Sequence, residues 1–380
     1  MSGWRLLTDS LVGAADGLAV DEALMSSYHR GPIAPPPTLR LYTYRGPAAL
    51  VGRFQDLEAE VDLLACSQHG AEIGRRLTGG GAIIMGPAQL GVALLMPAPA
   101  NRPARSMLGP FADALAAGLT RLGIAAALGG KNDLIADGRK IAGLGLHVDG
   151  DGALLLHASV LADLDVELML QLLRIPVAKL GGAGVGAVRR RVTTVSELTA
   201  TSRDGAALRE SVAVGFASAF GVALESGALS ADEQTRATEL AARYRDPAWL
   251  FPPRFSRQQR GSAVLRTPAG LVRCYVGAQG GVISQVTFVG DVLTMPDSLL
   301  ALESALRWSR ATPDFIATAV ATSGVARDLG CTVEQVVGLV LAALDSQSQD
   351  ETSYPVRHSG SCYFPEQLAP AGVDVSEVVG

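Results

Sequence analysis

Apolar positions along the chain switch between a spacing near 3.6 and a spacing of 2, and these switches outline the elements. Residues 15–29 place Leu18, Ala19, Leu24 and Met25 at helical spacing, whereas TLRLYTY at 38–44 alternates as a strand does. The Pro-rich segment GPIAPPP separates the two. A short strand at 50–54 precedes a helix around 57–68 that carries Val61, Leu64 and Ala65. Strand character returns at 71–77 and in the apolar run LGVALLM at 90–96. On this reading the three glycines at 79–81 join two strands of one sheet. Residues 107–122 predict a helix. Between Asp133 and Leu161, apolar runs are cut at Asp137-Gly138 and at Asp149-Gly150-Asp151-Gly152. Asp-Gly pairs accept positive φ at both positions, so a three-stranded antiparallel meander is predicted. Further helices are expected over 165–174, 204–220 and 231–244.

Periodicity stops in RDPAWLFPPRFSRQQRGS, where paired prolines and polar residues cluster. The chain is accordingly divided into a larger domain at 1–245, a linker at 246–260, a small α+β domain at 261–345 and a polar tail at 346–380. The small domain is expected to hold strands at 262–267, 271–277 and 280–288 and helices at 296–308 and 333–344. A length of 380 residues fits this two-domain division. A hydrophobic fraction of 48% supplies the core, and a net charge of −5 argues against a general nucleic-acid binder, which needs basic excess. Cys66, Cys274, Cys331 and Cys362 form no CxxC pair, so neither a zinc knuckle nor a disulfide framework is expected. The N-terminus has no apolar signal region, and no run of about 18 apolar residues occurs, so the reading is a cytoplasmic protein without a membrane span.

Two stretches carry candidate chemistry. In RRLTGGGA at 75–82, Arg75 and Arg76 stand beside Gly79, Gly80 and Gly81. Bare amides next to fixed cations make an anion seat, and a β-bulge or tight turn without ligand is the alternative. In KNDLIADGRKIAGLG at 131–145, a turn at Asp137-Gly138 brings Asp133 and Lys140 within a few ångströms across one hairpin. A carboxylate able to hold Mg²⁺ and a cation able to neutralise phosphoryl oxygens then share a site. Taken singly, Lys140 reads as a solvated lysine after a turn and Asn132-Asp133 as a turn or cap. Lys179 and the run Arg189 to Arg191 form a dense basic patch. The tail segment HSGSCYFPE at 358–366 pairs a His with a Cys, and two ligands do not make a metal site.

RRLTGGGA, NDLIADGRKIAGLG (132–145) and LLLHASVLADLD (154–165) resemble the lipoate-protein ligases in order and spacing, together with DEAL (21–24), VGRFQ (51–55) and RRRVTTVSEL (189–198). GGVISQVTFVGDVLTMPDSLLALESAL (280–306) is similar to the accessory domain of those ligases. The resemblance implies an α/β (α+β) fold of the biotin/lipoyl ligase type, with a mixed, largely antiparallel sheet. It implies that a lipoate carboxylate attacks the α-phosphate of ATP, and that a lysine of an apo-lipoyl domain then displaces AMP. On it, Lys140 bridges acyl and α-phosphate oxygens, and Arg76 holds the substrate carboxyl or adenylate. Gly79, Gly80 and Gly81 let the chain approach the adenylate. Asn132, Asp133 and Ala82 serve the nucleotide, with Asp133 as the Mg²⁺ ligand. Phe54, Gly143, Gly145 and His157 form an apolar slot for lipoate or octanoate, where each buried methylene is worth about 0.8 kcal/mol.

The sequence also departs from that pattern. IIMGPAQLG places Met85 and Gly86 where a His and an Asp are expected, and Leu156-His157 replaces a double His. These changes sustain rival readings. A lipoyl or octanoyl transferase uses a cysteine nucleophile, yet 133–165 contains none and Cys66 lies on a helix before the glycine loop. A biotin ligase and a non-catalytic ligase-like subunit that binds lipoylated proteins are the others. The basic run is expected to meet an acidic acceptor, so charge reversal at Arg189 and Arg190 should slow transfer more than adenylation. The accessory domain is expected to move between the half-reactions.

Overall fold

The computed structural model describes residues 3–29, 35–175, 185–199, 205–252 and 260–351. Lys179, the 358–366 segment and residues 253–259 of the region assigned as linker lie outside them. The strands are β1 (Gly3–Val12), β2 (Thr38–Tyr44), β3 (Ala48–Val51), β4 (Glu72–Arg75), β5 (Ile83–Met85), β6 (Gln89–Pro97), β7 (Ala126–Gly129), β8 (Asp133–Ala136), β9 (Arg139–Val148), β10 (Ala153–Leu161), β11 (Ala223–Ser226), β12 (Gly261–Thr267), β13 (Gly270–Gln279), β14 (Val282–Gly290) and β15 (Ser309–Arg310). An eight-stranded sheet runs β11-β1-β2-β6-β10-β9-β8-β7, a three-stranded sheet β4-β3-β5, and a four-stranded sheet β12-β13-β14-β15. In the large sheet β1 pairs parallel with β2 and β11, and the remaining pairings are antiparallel. The architecture is thus α/β with a mixed, largely antiparallel sheet.

Alternation along the central strands sorts side chains onto two faces. Leu90, Val92 and Leu94 of β6 and Leu154, Leu156 and Val160 of β10 bury against helices Leu108–Thr120 and Gly205–Phe220. Gly118 and Gly215 let those two helices touch, because a Cβ at Gly215 would stand 2.3 Å from the Gly118 nitrogen. Ala93, Leu95 and Leu155 point the other way, toward helices Ala14–Ser26 and Ala231–Arg245. The second face holds the candidate site.

The predicted meander is present as β8, β9 and β10, and Asp137 and Gly138 take φ of 49° and 68° at its first turn. The expected strands at 71–77 and 90–96 belong to different sheets. β4 pairs with β3, and the strand that follows the glycines in that sheet is β5, on the far side of β3, which reads in the sequence as part of one apolar run. The helix expected at 57–68 is broken at Val61, which bridges to Leu173, and Asp56 and Asp62 each cap a separate short helix. Helices Pro313–Ser323 and Val325–Leu329 escape the sequence reading. Their signals are Pro313 in the first turn and left-handed Gly324 and Gly330 at the ends.

The segment 260–351 packs its own apolar cluster, with Phe288, Leu302, Ile316 and Val340 fully buried between the four-stranded sheet and its helices. It also touches the larger part of the chain at defined points. The Tyr275 hydroxyl donates to the Asp56 carboxylate at 2.5 Å, and the Gly290 amide donates to the Phe54 carbonyl at 2.8 Å. Phe54 itself, expected in an acyl slot, packs on the apolar cluster of 260–351. Among the described residues, no helix is long and apolar enough to cross a membrane.

Candidate active site

A β-bulge aims Lys140. Across the first hairpin Leu134 pairs with Ala142 but Ile135 pairs with Lys140, leaving Ile141 as the extra residue. Without it Lys140 would share the buried face of Ala142 and Leu144. With it, the ammonium emerges on the face of Gly143 and Gly145 and meets the Asp133 carboxylate at 2.7 Å. Bulges commonly re-aim a side chain in this way. The sequence expectation of proximity holds, through a bulge that the turn alone does not imply. Ile141 and Ala142, consecutive and both fully buried, are its trace in the sequence.

The bulge also turns the backbone of Lys140 outward, and a distant segment takes it up. The Lys140 amide donates to the Arg191 carbonyl at 2.8 Å, and the Thr193 amide donates to the Lys140 carbonyl at 2.9 Å. Val192 therefore pairs with Lys140 as an isolated parallel bridge. The end of the basic run is thus held against the lysine through its backbone, a clamp that sequence reasoning missed.

The glycine loop has three tenants. A Cβ at Gly52 would stand 2.1 Å from the Gly80 carbonyl oxygen, so the VGRFQ turn lies directly on the loop. A Cβ at Gly79 would stand 2.3 Å from the carbonyl oxygens of both Val292 and Leu293, and the Gly80 amide donates to Val292 at 2.9 Å. Gly79 thus admits the segment after β14, where the sequence reading placed the adenylate. Arg76 is buried and donates to the carbonyls of Leu50 (2.7 Å), Gly79 (3.4 Å) and Gly81 (2.9 Å). Its guanidinium holds the loop in shape, which differs from the expected direct grip on a substrate carboxyl. Its Nε is buried without a partner. Burial lowers its pKa to about 10, which leaves it charged at neutral pH. Arg75 is also buried and gathers the carbonyls of Gly52, Arg53, Gln55, Trp249 and Leu250.

His157, opposite Gly145 on β10, lies flat over that glycine: a Cβ at Gly145 would stand 2.8 Å from its Nε2. The Thr78 hydroxyl is 3.3 Å from both ring nitrogens. Burial, then the charge of Arg76, pushes the imidazole pKa down to about 3, so it is neutral at working pH.

A cleft of about 630 Å³ collects the pieces. Gly80, Gly81 and Ala82 form one side, and Asn132, Asp133 and Lys140 another. The Asn132 side-chain amide donates to the Leu144 carbonyl at 2.6 Å, which ties Asn132 to β9. Lys131, absent from the sequence expectations, donates to the carbonyls of Ala269 (2.9 Å) and Asp291 (3.2 Å) and so joins the wall to 260–351. A second cavity of about 480 Å³, lined in part by Met25, Leu77, His147 and Trp249, opens farther along the same face of β9. Met85 and Gly86, standing where polar anchors were expected, are buried, Met85 within the apolar layer under helix Ala14–Ser26.

Comparison with known proteins agrees with this geometry. Residues 14–217 match the lipoyl protein ligase A/B catalytic domain. The chain is 31% identical over 276 residues to octanoyltransferase LipM of Symbiobacterium thermophilum, covering 65% of this chain and 98% of that one. Among solved structures, the bi-partite lipoate protein ligase of Thermoplasma acidophilum, studied with its E2 lipoyl domain, superposes with a TM-score of 0.59 at 28% identity, over 66% of this chain and 96% of that chain. A lipoate-protein ligase A bound with ATP gives 0.58 at 27%, over 66% and 99%. More than half of the chain matching one family model, with a mixed sheet to suit, makes it a member of the lipoyl protein ligase A/B catalytic domain family.

Proposed function

We propose that this chain is an ATP-dependent ligase that activates lipoate or octanoate as its adenylate and passes the acyl group to a lysine of a lipoyl domain. The observation that carries the reading is the cleft: glycine amides, Asn132, Asp133 and Lys140 line it, and among the described residues no cysteine does. A carboxylate oxygen attacks the α-phosphorus, an O–P bond forms, and pyrophosphate leaves with the bonding pair. The acceptor amine then attacks the acyl carbon, and AMP departs. Negative charge grows on phosphoryl oxygens in the first step and on the acyl oxygen in the second. A fixed ammonium beside amides stabilises both better than mobile water would. Asp133, paired with Lys140 at 2.7 Å, aims the ammonium.

The acyl chain has a path. Lys140, Gly143, Gly145 and His147 share one face of β9, which leads from the cleft to the second cavity beneath Leu77–Ala82. Four residues of strand from Gly143 to His147 span about 13 Å, the scale of an eight-carbon acyl group. Magnesium fits this site as a companion of the nucleotide. Among the described residues no group of three or more His, Cys, Asp or Glu could hold a metal, but Asp133 offers one carboxylate, and Mg²⁺ commonly takes one or two together with phosphates. When bound it supplies further positive charge to the phosphoryl oxygens.

The LipM relative favours a second reading, transfer from an acyl thioester through a cysteine. Cys66 and Cys274 are buried, and burial raises both thiol pKa values, opposite to what a nucleophile needs. Cys331 sits against the cluster of 260–351, and Cys362 lies outside the described residues. Mass spectrometry of a lipoyl domain separates the readings. A ligase adds the acyl mass from free lipoate or octanoate only with ATP and Mg²⁺, releasing pyrophosphate, and Lys140→Ala abolishes the gain. Acylation from a carrier thioester without ATP would establish the transferase, and no gain under either condition would leave a binding subunit.

A further inference from the structure

The aim of Lys140 depends on a one-residue bulge keeping its place, since a regular register would carry the ammonium to the buried face. A bulge leaves ladder groups unpaired, and here the Lys140 amide and carbonyl are taken up by Arg191 and Thr193. Whatever steadies that short segment therefore steadies the lysine.

Glu197 does so from two sides. One of its carboxylate oxygens, Oε2, accepts from the Thr193 hydroxyl at 2.9 Å and from Arg139 Nη1 at 3.1 Å. The Thr193 amide is the donor to the Lys140 carbonyl, and Arg139 is the residue before Lys140 on β9. A single oxygen thus fastens the spatial neighbour of the lysine to its sequence neighbour. Arg139 Nη1 also donates to the Val192 carbonyl at 3.5 Å, inside the same clamp. The base from which Glu197 reaches is itself anchored. It lies on the short helix Val195–Thr199, where its amide donates to the Thr194 hydroxyl at 3.2 Å. The Ser196 amide donates to the Ala162 carbonyl at 3.0 Å, one residue past β10, and Val195 and Leu198 pack on the central core. The carboxylate is a strut from that core to the bulge. Thr193 is fully buried, so its hydroxyl loses its acceptor in the interior if the carboxylate is removed.

We infer that Glu197 is a positioning residue for Lys140: by gathering Thr193 and Arg139 on one oxygen it fixes the bulge, and with it the direction of the ammonium. Its effect on rate rests on the ligase reading above. A carboxylate suits the task because one oxygen can accept from two donors and its charge strengthens the bond from the guanidinium. Glutamine keeps an oxygen acceptor and loses the charge, whereas alanine loses both. A reacting group that is misaimed costs turnover, while substrate affinity in the ground state is carried by the rest of the cleft.

ATP–pyrophosphate exchange driven by lipoate, measured on the full chain at varied ATP and lipoate, tests this with Glu197→Ala, Glu197→Gln and Thr193→Val. Glu197→Ala should lower kcat about tenfold or more with both KM values within about threefold of the parent, and Glu197→Gln should recover part of the loss. Amide exchange should show lost protection at Lys140 and Thr193 in Glu197→Ala, with β6 unchanged. If Glu197→Ala does not fold, Glu197→Gln and Thr193→Val carry the same test, each with a smaller loss of kcat and of protection at Lys140. Parental kcat in the variants would overturn the inference, as would a change confined to KM, or parental protection of the Lys140 and Thr193 amides. Absence of exchange in the unchanged protein with either lipoate or octanoate would overturn the ligase reading instead, and the amide protection at Lys140 would then decide by itself whether Glu197 holds the bulge.

Discussion

Lys140 lies across Gly143. A Cβ at position 143 would stand 2.9 Å from the lysine Nζ and 3.2 Å from its Cε, so the glycine on β9 is the floor on which the ammonium rests beside Asp133. Gly143→Ala should push the end of this flexible side chain aside without disturbing the sheet. Misplacing a reacting group by about 1 Å is worth up to a hundredfold in rate. The expected result is at least a tenfold loss of ATP–pyrophosphate exchange with a melting temperature within about 2 °C of the parent, in keeping with a surface-scale change in stability. Exchange at the parental rate would remove the positioning argument.

Gly79 meets backbone, which cannot swing away. Its substitution by Ala should break the Gly80–Val292 hydrogen bond and separate 260–351 from the glycine loop. Amide exchange reports this locally: protection at Gly80 and around residues 290–293 should fall while β6 and β10 keep theirs. Uniform exchange behaviour in parent and variant would contradict the docking role.

The buried imidazole of His157 sets an acid limit on stability. Its pKa is about 3 in the folded chain and near 6.5 when unfolded, so below pH 6.5 the unfolded state binds the proton first. Stability contributed by the neutral ring is complete above pH 6.5 and declines as pH falls toward 3, by up to about 1.4 kcal/mol per pH unit. His147, pushed down to about 4 by burial and then by Arg53, adds to the slope over the same window. Urea titrations between pH 4 and 7 should show His157→Asn with a shallower decline than the parent. Parallel curves would mean that the ring titrates normally.

Arg75 knits the small sheet to the VGRFQ turn and to the end of helix Pro247–Leu250 through five backbone carbonyls. Arg75→Met fills comparable volume but leaves those acceptors without donors, at about 1–3 kcal/mol for each one left unsatisfied in the interior. A loss of at least about 3 kcal/mol in denaturant unfolding is expected, and Arg75→Lys should recover little because an ammonium lacks the planar fork. A loss below 1 kcal/mol would show that water replaces the guanidinium there.

Much of this protein was legible from local signals. Alternation in TLRLYTY placed β2, Asp137-Gly138 placed the hairpin, and the spacing from Asp133 to Lys140 placed carboxylate and ammonium in contact, because each depends on residues only a few positions apart. The glycine loop was recognisable as a place of close approach. What approaches it was not. Val292 lies more than two hundred residues from Gly79, and Val192 more than fifty from Lys140, and both act through backbone atoms that every residue type carries. Phe54 and Arg76 were assigned to substrate because the family resemblance implied it. Only the packed chain shows that one serves the contact with 260–351 and the other the shape of the loop. Side-chain chemistry is written residue by residue, so the sequence by itself determined β2, the hairpin turn and the pairing of Asp133 with Lys140. The partners of exposed backbone groups depend on which surfaces meet once the core has closed, and that was decided by the tertiary structure alone.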